Sequence, residues 1–275
     1  MLQDKFNFYL SNIKTFQDDH GFIGSDGCDS LLWTGLSGCV PDIKVDIDSA
    51  FYKVKDEWHR RPCENPCFPN HSASTISKDM LIGLAWYAYF NRRLDISEGI
   101  IKHALSHWCI MGEAKTLKDK FGACLLTPGL LATYAEISYR LGGPNRWWLR
   151  YFPQYESSSV VDFQAHLSVL HIYLRKLMGV KIGWMARRCL KSQYKRQPHN
   201  ALFALANDDK FSAAQLLDVE MWWPTNRLPS TADRGEMWLH QRDYGKDWKP
   251  NLTINPPKVF SGADLLFAYW LLTRK

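Results

Sequence analysis

The sequence predicts an all-α fold, and three observations carry that prediction. Apolar residues recur at three- and four-residue spacing along most of the chain, with no convincing strand alternation. Several of these runs (LLWTGL, MLIGLAWYAYF, LLATYAEISY, DLLFAYWLL) are apolar nearly all round, while KFNFYLSNIKTF and SEGIIKHALSHW are apolar on one side. Turns separate the runs, so that roughly ten to twelve helices follow one another as hairpins. Helices buried on every side alternating with amphipathic ones imply an inner and an outer layer, the pattern of an (α/α) toroid or barrel of helical hairpins. At 275 residues the chain is expected to form a single all-α domain, 1–275, with long irregular loops. A chain of this size buries roughly three quarters of its unfolded surface.

The elements follow in order. Residues 2–17 set Leu2, Phe6, Tyr9, Leu10, Ile13 and Phe16 at helical spacing. The Asp/Gly turn DDHGFIGSDGC comes next, then a short helix over about 29–36. Pro41 and the alternation in VPDIKVDID form an irregular link, after which Asp48 is read as the cap of a helix carrying Ala50, Phe51, Val54 and Trp58. Residues 59–76, HRRPCENPCFPNHSASTI, hold three prolines and no periodicity. An ordered loop of that length is more often functional than a mere connection.

Ser77 caps the strongest helix, SKDMLIGLAWYAYFNRR, and another starts at Ile96 or Ser97. Residues 117–126 fit neither period. Pro128 suits the first position of a helix that closes on Gly142 and Gly143. NRWWLRYFPQY reads as a short helix and turn, and 160–178 and 181–194 as two helices split at Gly179. Residues 200–206 and 212–219 are short helical pieces, and 222–258 hold little regular structure. SGADLLFAYWLLTR closes the chain as a helix capped by Ser261.

Composition narrows the function classes. The net charge is +6, yet 139–196 holds eleven Lys/Arg and two acids, leaving the remainder near −3. Such asymmetry suits an anionic partner or a solvated basic face. The 12 tryptophans exceed an ordinary count; most belong to the core, and the excess can line a ligand cleft. Seven widely spread cysteines and the absence of a signal-peptide pattern lead to the expectation of cytoplasmic synthesis, with release by lysis or a phage-type route if the target lies outside. No apolar run reaches the length of a membrane span. P-loop, G-x-G-x-x-G, G-x-S-x-G and H-E-x-x-H patterns are all missing, which weakens nucleotide-dependent, serine-hydrolase and zincin readings.

Three helices of the inner type open alike, with CDSLL, KDMLI and ADLLF placing Asp29, Asp79 and Asp264 in the first turn. Acids there suit the helix dipole. Repeated at buried helices, they also present carboxylates to an interior cleft, Asp29 and Asp79 foremost. The alternation of buried and amphipathic helices, with acids at inner-helix starts beside aromatic loops, resembles the six-hairpin (α/α)-toroid glycosidase superfamily. SKDMLIGLAWYAYFNRRLD is similar to the Asp-led inner helices of those enzymes. The chain is short for six full hairpins, so the resemblance implies a reduced or incomplete toroid. It also implies cleavage of a polysaccharide by two carboxylates at the inner-helix N-termini.

Such cleavage needs a proton donor with a raised pKa and a second carboxylate as base or nucleophile. The catalytic candidates are Asp29, Asp79, Asp26 and Asp19, followed by Glu113 and Glu236; Asp18 reads as a turn cap. His20, Trp33, Trp58, His59, Arg60, Arg61, Trp86, Glu236, Trp238 and Arg242 are the substrate-binding candidates, the paired arginines being able to grip a carboxylate-bearing sugar. Cys63, Cys67, His71 and His59 have poor spacing for zinc, so a loop-stapling disulfide or free thiols are preferred and no metal or cofactor is required. A Cys28 nucleophile paired with His20 or His59 lacks a cysteine-hydrolase signature. The expected function is glycoside hydrolysis of an anionic or cell-wall polysaccharide, in a lysozyme-like muramidase for instance. The alternative is a non-enzymatic helical protein binding nucleic acid or another acidic partner through 139–196.

Overall fold

A computed structural model describes residues 2–23, 28–151, 162–198, 200–218 and 261–274, with the backbone alone at 162–164. The protein is all-α in character, with twelve α-helices among the described residues. None is long and apolar enough to cross a membrane. The chain divides into two compact units: Met1–Phe16, Ser157–Tyr173 and Lys181–Lys275 form one, and Gln17–Glu156 with Leu174–Val180 the other. Asp26, Glu236, Trp238 and Arg242, like the irregular stretch expected over 222–258, lie outside the described residues.

In the continuous unit, 17–156, helix α2 (Ser30–Ser37) is buried at every residue and α3 (Lys78–Phe90) along most of its length. Glycines let them pack backbone to backbone. A Cβ on Gly35 would lie 2.4 Å from the Gly83 carbonyl oxygen, and one on Gly83 2.6 Å from Leu32 Cα. Gly38 lies against Tyr87, and Asn91 Nδ2 donates to the Gly38 oxygen at 2.9 Å. These contacts advance together along both helices, so α2 and α3 run in the same direction. Their N-termini, carrying Asp29 and Asp79, therefore lie at the same end of the pair.

A short turn at Asn91–Arg93 leads into α4 (Leu94–Ser106), which buries one face through Ile96, Ile100, Ile101 and Ala104. Thr116 caps the short α5 (Leu117–Gly122), accepting from Asp119 N, and so resolves the stretch that fitted neither period. Helix α6 (Pro128–Arg140) starts on Thr127 with Pro128 in its first turn, as expected. It packs antiparallel to α4, because Ser138 meets Glu98 and Gly143 meets Leu94. Tyr134, fully buried in α6, donates to the Leu81 oxygen of α3 at 2.6 Å. The four-residue α7 (Trp147–Arg150) follows.

One element departs from expectation. In place of a helix over 48–58, a 3₁₀ turn at Ile47–Ala50 runs into a small antiparallel hairpin, β1 (Phe51–Tyr52) and β2 (Glu57–Trp58), with Phe51 opposite Trp58. Phe51 and Trp58 are rings that suit a pleated surface, their centroids 5.1 Å apart. Asp56 turns the chain in the left-handed region, where acids are tolerated.

The other unit contains α1 (Leu2–Asn12), the greater part of α8 (Asp162–Leu177), α9 (Trp184–Arg196), α10 (Ala201–Ala206), α11 (Lys210–Asp218) and α12 (Ala263–Thr273). Helix α12 packs on α1, α10 and α11. Gly262 precedes it at φ +68, and a Cβ there would lie 2.2 Å from the Tyr9 ring, so glycine is needed twice over. Asp264 is 1% exposed beside the equally buried Lys5 and Tyr9. Burial lowers Lys5 to about 8 despite its acidic neighbours, and its ammonium donates to the Leu217 oxygen. The third Asp-led helix start is thus part of a sealed core rather than of a cleft.

Candidate active site

The aspartate at the start of α2 is held by an arginine. Asp29 makes no side-chain cap bond; its Oδ1 accepts from Arg60 Nη1 at 3.2 Å. Arg60 also donates to the Ser74 oxygen and Ser74 Oγ, both at 3.0 Å, and its own carbonyl accepts from Leu31 N. These bonds brace the loop over 59–76 and tie it to the start of α2, so Arg60 is committed to the fold and is not a grip for substrate. A disulfide between Cys28 and Cys67, Cα atoms 6.2 Å apart, fastens the same place. Cys63 stays a free thiol, and the bonded Cys28 cannot serve as a thiolate nucleophile. Asp79 is half-buried in the first turn of α3.

The unsatisfied groups lie one strand away. From Glu57 to Pro62 burial alternates: Trp58, Arg60 and Pro62 are buried, while Glu57, His59 and Arg61 are half-buried. The backbone holds this stretch on both sides, His59 N donating to the Ala50 oxygen and Arg60 N to the Thr75 oxygen. On the half-buried face Glu57 Oε2, His59 Nε2 and Arg61 Nε are each sealed from solvent without a hydrogen-bond partner among the described residues. Glu57 Oε2 and His59 Nε2 are 4.0 Å apart, beyond hydrogen-bond reach. Three such atoms on one face are conspicuous, since most buried polar groups find partners.

Neighbours complete the cluster. Glu113 is anchored through its backbone, its N–H donating to Thr75 Oγ1 at 2.9 Å and its oxygen accepting from Thr75 N at 2.8 Å. Its carboxylate pairs with the Lys55 ammonium at a half-exposed position. Burial, reinforced by Glu113, pushes the Glu57 carboxyl above the usual carboxylate range. Burial likewise pushes His59 down, towards the neutral imidazole. On α4, His103 is also lowered by burial, and its ring stacks on His107 with centroids 4.1 Å apart. Tyr52 lies against His59, ring centroids 5.3 Å apart. Next in the chain to His107, Trp108 is 92% exposed, and both it and Cys109 occupy the left-handed region at φ 53 and 62. Backbone strain that presents an aromatic ring to solvent is a mark of a functional surface.

The remaining expected site residues scatter. Trp33 and Trp86 are fully buried and Trp58 nearly so; these rings fill the core and present no face to a ligand. His20 bridges Asp46, at 3.2 Å, and Glu64, and both acids raise its pKa, Glu64 more. Asp18 caps the turn, accepting from His20 N and Phe22 N, as its position suggested. Asp19 is exposed. Among the described residues no group of three or more His, Cys, Asp and Glu side chains converges as a metal site.

Sequence reasoning named His59, Arg61 and Glu113 but missed Glu57 and Trp108. The signal for Glu57 was the E-W-H alternation, which a strand turns into one shared face and a helix would scatter. Comparison with protein-family models, curated proteins and solved structures finds no match in any of the three.

Proposed function

We propose that this protein is a glycoside hydrolase acting on an anionic or cell-wall polysaccharide, with Glu57 as general acid and Glu113 as the second carboxylate. The observation that carries the reading is the Glu57 carboxyl, raised by burial and by Glu113, with its Oε2 unpartnered among the described residues and facing His59. A proton donor and a second carboxylate in different environments are the two parts that glycosidic cleavage requires. The Glu57 side chain keeps 14% exposure, so a substrate oxygen would meet the exposed part of that carboxyl, with its buried Oε2 facing His59. Arg61 then offers a guanidinium for an acidic sugar, and Trp108 an exposed ring for a sugar face. Asp29, which the sequence placed first, becomes a support for the loop that carries these groups, and Asp79 stays with it at the helix starts.

The same reading takes the helices as a reduced (α/α) toroid. Its support is the shared direction of the buried helices α2 and α3 and the opposed direction of the one-sided α4 against α6. The test is a screen of the purified protein against anionic and cell-wall polysaccharides, counting reducing ends released. Wild type releases them, while Glu57→Gln and Glu113→Gln, folded by circular dichroism, lose at least a hundredfold. Wild-type rates in both variants would overturn the assignment.

A further inference from the structure

The basic stretch over 139–196 is not one surface. Its first half is spent internally. Arg146 clamps Glu98 through both Nη atoms at 2.6 and 2.8 Å, and Arg140 and Arg150 both hold the buried Glu136. Arg175 is buried and donates to Thr133. The cations left facing solvent in quantity belong to α9, in the other unit.

Helix α9, WMARRCLKSQYKR, has no acid. Ala186, Cys189, Leu190 and Gln193 form its buried face, and it packs on α10. Arg187, Arg188, Lys191 and Lys195 are exposed, and among the described residues none of the four makes an ion pair. The nearby acid Asp209 is engaged otherwise, accepting from Tyr194 Oη and Ser212 N. Arg187, Lys191 and Lys195 are four residues apart and so stand in a row about 6 Å from one to the next. Trp184, 65% exposed, lies one turn before Arg188.

We infer that this face of α9 docks a nucleic acid through its phosphate backbone. A strand of duplex carries one phosphate per about 3.4 Å of axis, so cations spaced by one helical turn meet roughly every second phosphate. Arginine forks suit phosphate oxygens, and an exposed tryptophan beside them suits a base face. An anionic membrane fits less well. Beyond Trp184 and Met185 the exposed face is polar throughout, with no apolar side chains to enter the acyl region. The inference stands apart from the hydrolase reading and does not depend on it.

The experiment is fluorescence anisotropy of the full chain with a labelled duplex, titrated over a range of salt. Four phosphate contacts give a slope of log K against log salt of about −3.6. Arg187→Gln with Lys191→Gln halves that slope, and the quadruple Arg187→Glu, Arg188→Glu, Lys191→Glu, Lys195→Glu abolishes binding with an unchanged circular dichroism spectrum. All four sites are exposed, and the glutamine pair keeps the test valid should the quadruple variant unfold. Salt-independent binding, wild-type affinity in the folded variants, or binding to anionic vesicles or polyuronate but not to the duplex would each overturn the inference.

Discussion

Two carboxylates in this protein share the same exposure and differ in everything else. The side chains of Asp29 and Glu57 are both 14% exposed. Asp29 lies 3.2 Å from a guanidinium that is itself fixed by Ser74, so the burial of its charge is compensated. Glu57 lies 4.0 Å from an imidazole, and neither facing atom finds a hydrogen bond among the described residues. Burial alone therefore does not make a carboxyl reactive. What raises Glu57 is burial with the like charge of Glu113 added, which together outweigh the nearby cations.

The comparison breaks most sharply on activity. Glu57→Gln removes the donor while keeping the shape, and loss of general acid catalysis lowers kcat by about 10²–10⁴. Asp29→Asn keeps a hydrogen-bond acceptor for Arg60, and kcat stays within about threefold of wild type. Steady-state kinetics on the polysaccharide identified by the screen measures both. Equal losses in the two variants would remove the distinction between them.

Stability should show the reverse. Arg60→Met strips the compensation from Asp29 and from the Ser74 carbonyl, at a cost of about 3–5 kcal/mol. Adding Asp29→Asn to Arg60→Met relieves the uncompensated charge and recovers part of that loss. Urea denaturation of the two single variants and the double variant gives the coupling directly, and additive effects would mean that the pair does not interact.

Helix count, most helix limits and the place of Pro128 in the first turn of α6 could be read from the sequence, because apolar residues repeat over many turns and the proline stands beside them. The hairpin could not. Its strands are two residues long, too short for a period, and Ala50, Phe51, Val54 and Trp58 happen to fit a helical face. That one error separated Glu57 from His59 and hid their shared face. The tryptophans failed for another reason. Composition cannot distinguish Trp86, fully buried within α3, from Trp108, 92% exposed just past the end of α4. The Asp-led pattern was real in the sequence, yet its members met three different environments: an arginine, a half-buried helix turn and a sealed core.

Trp108 sharpens the comparison on binding rather than chemistry. A ring that stacks on substrate in ground and transition state alike contributes uniform binding, so its loss raises KM and leaves kcat alone. Trp108→Ala should raise KM by roughly fivefold, equivalent to about 1 kcal/mol, with thermal stability unchanged because the ring is exposed. A fall in kcat with KM constant would place Trp108 in the chemistry and remove it from the platform.

The smallest effect lies in the pH dependence of stability, where Glu57 and His59 pull in opposite directions. The folded state raises Glu57 above its unfolded value, so this group's contribution is complete below the ordinary glutamate value of about 4.3 and is lost as pH rises through the raised one. The folded state lowers His59, so its contribution is complete above about 6.5 and is lost as pH falls through the lowered value. Between those limits the two slopes partly cancel in the wild type. Glu57→Gln unmasks the histidine, giving a melting temperature that rises more steeply with pH. His59→Gln unmasks the glutamate and gives the opposite slope. Melting curves from pH 4 to 8 on the three proteins measure both, and parallel curves would show that neither group is perturbed by its burial.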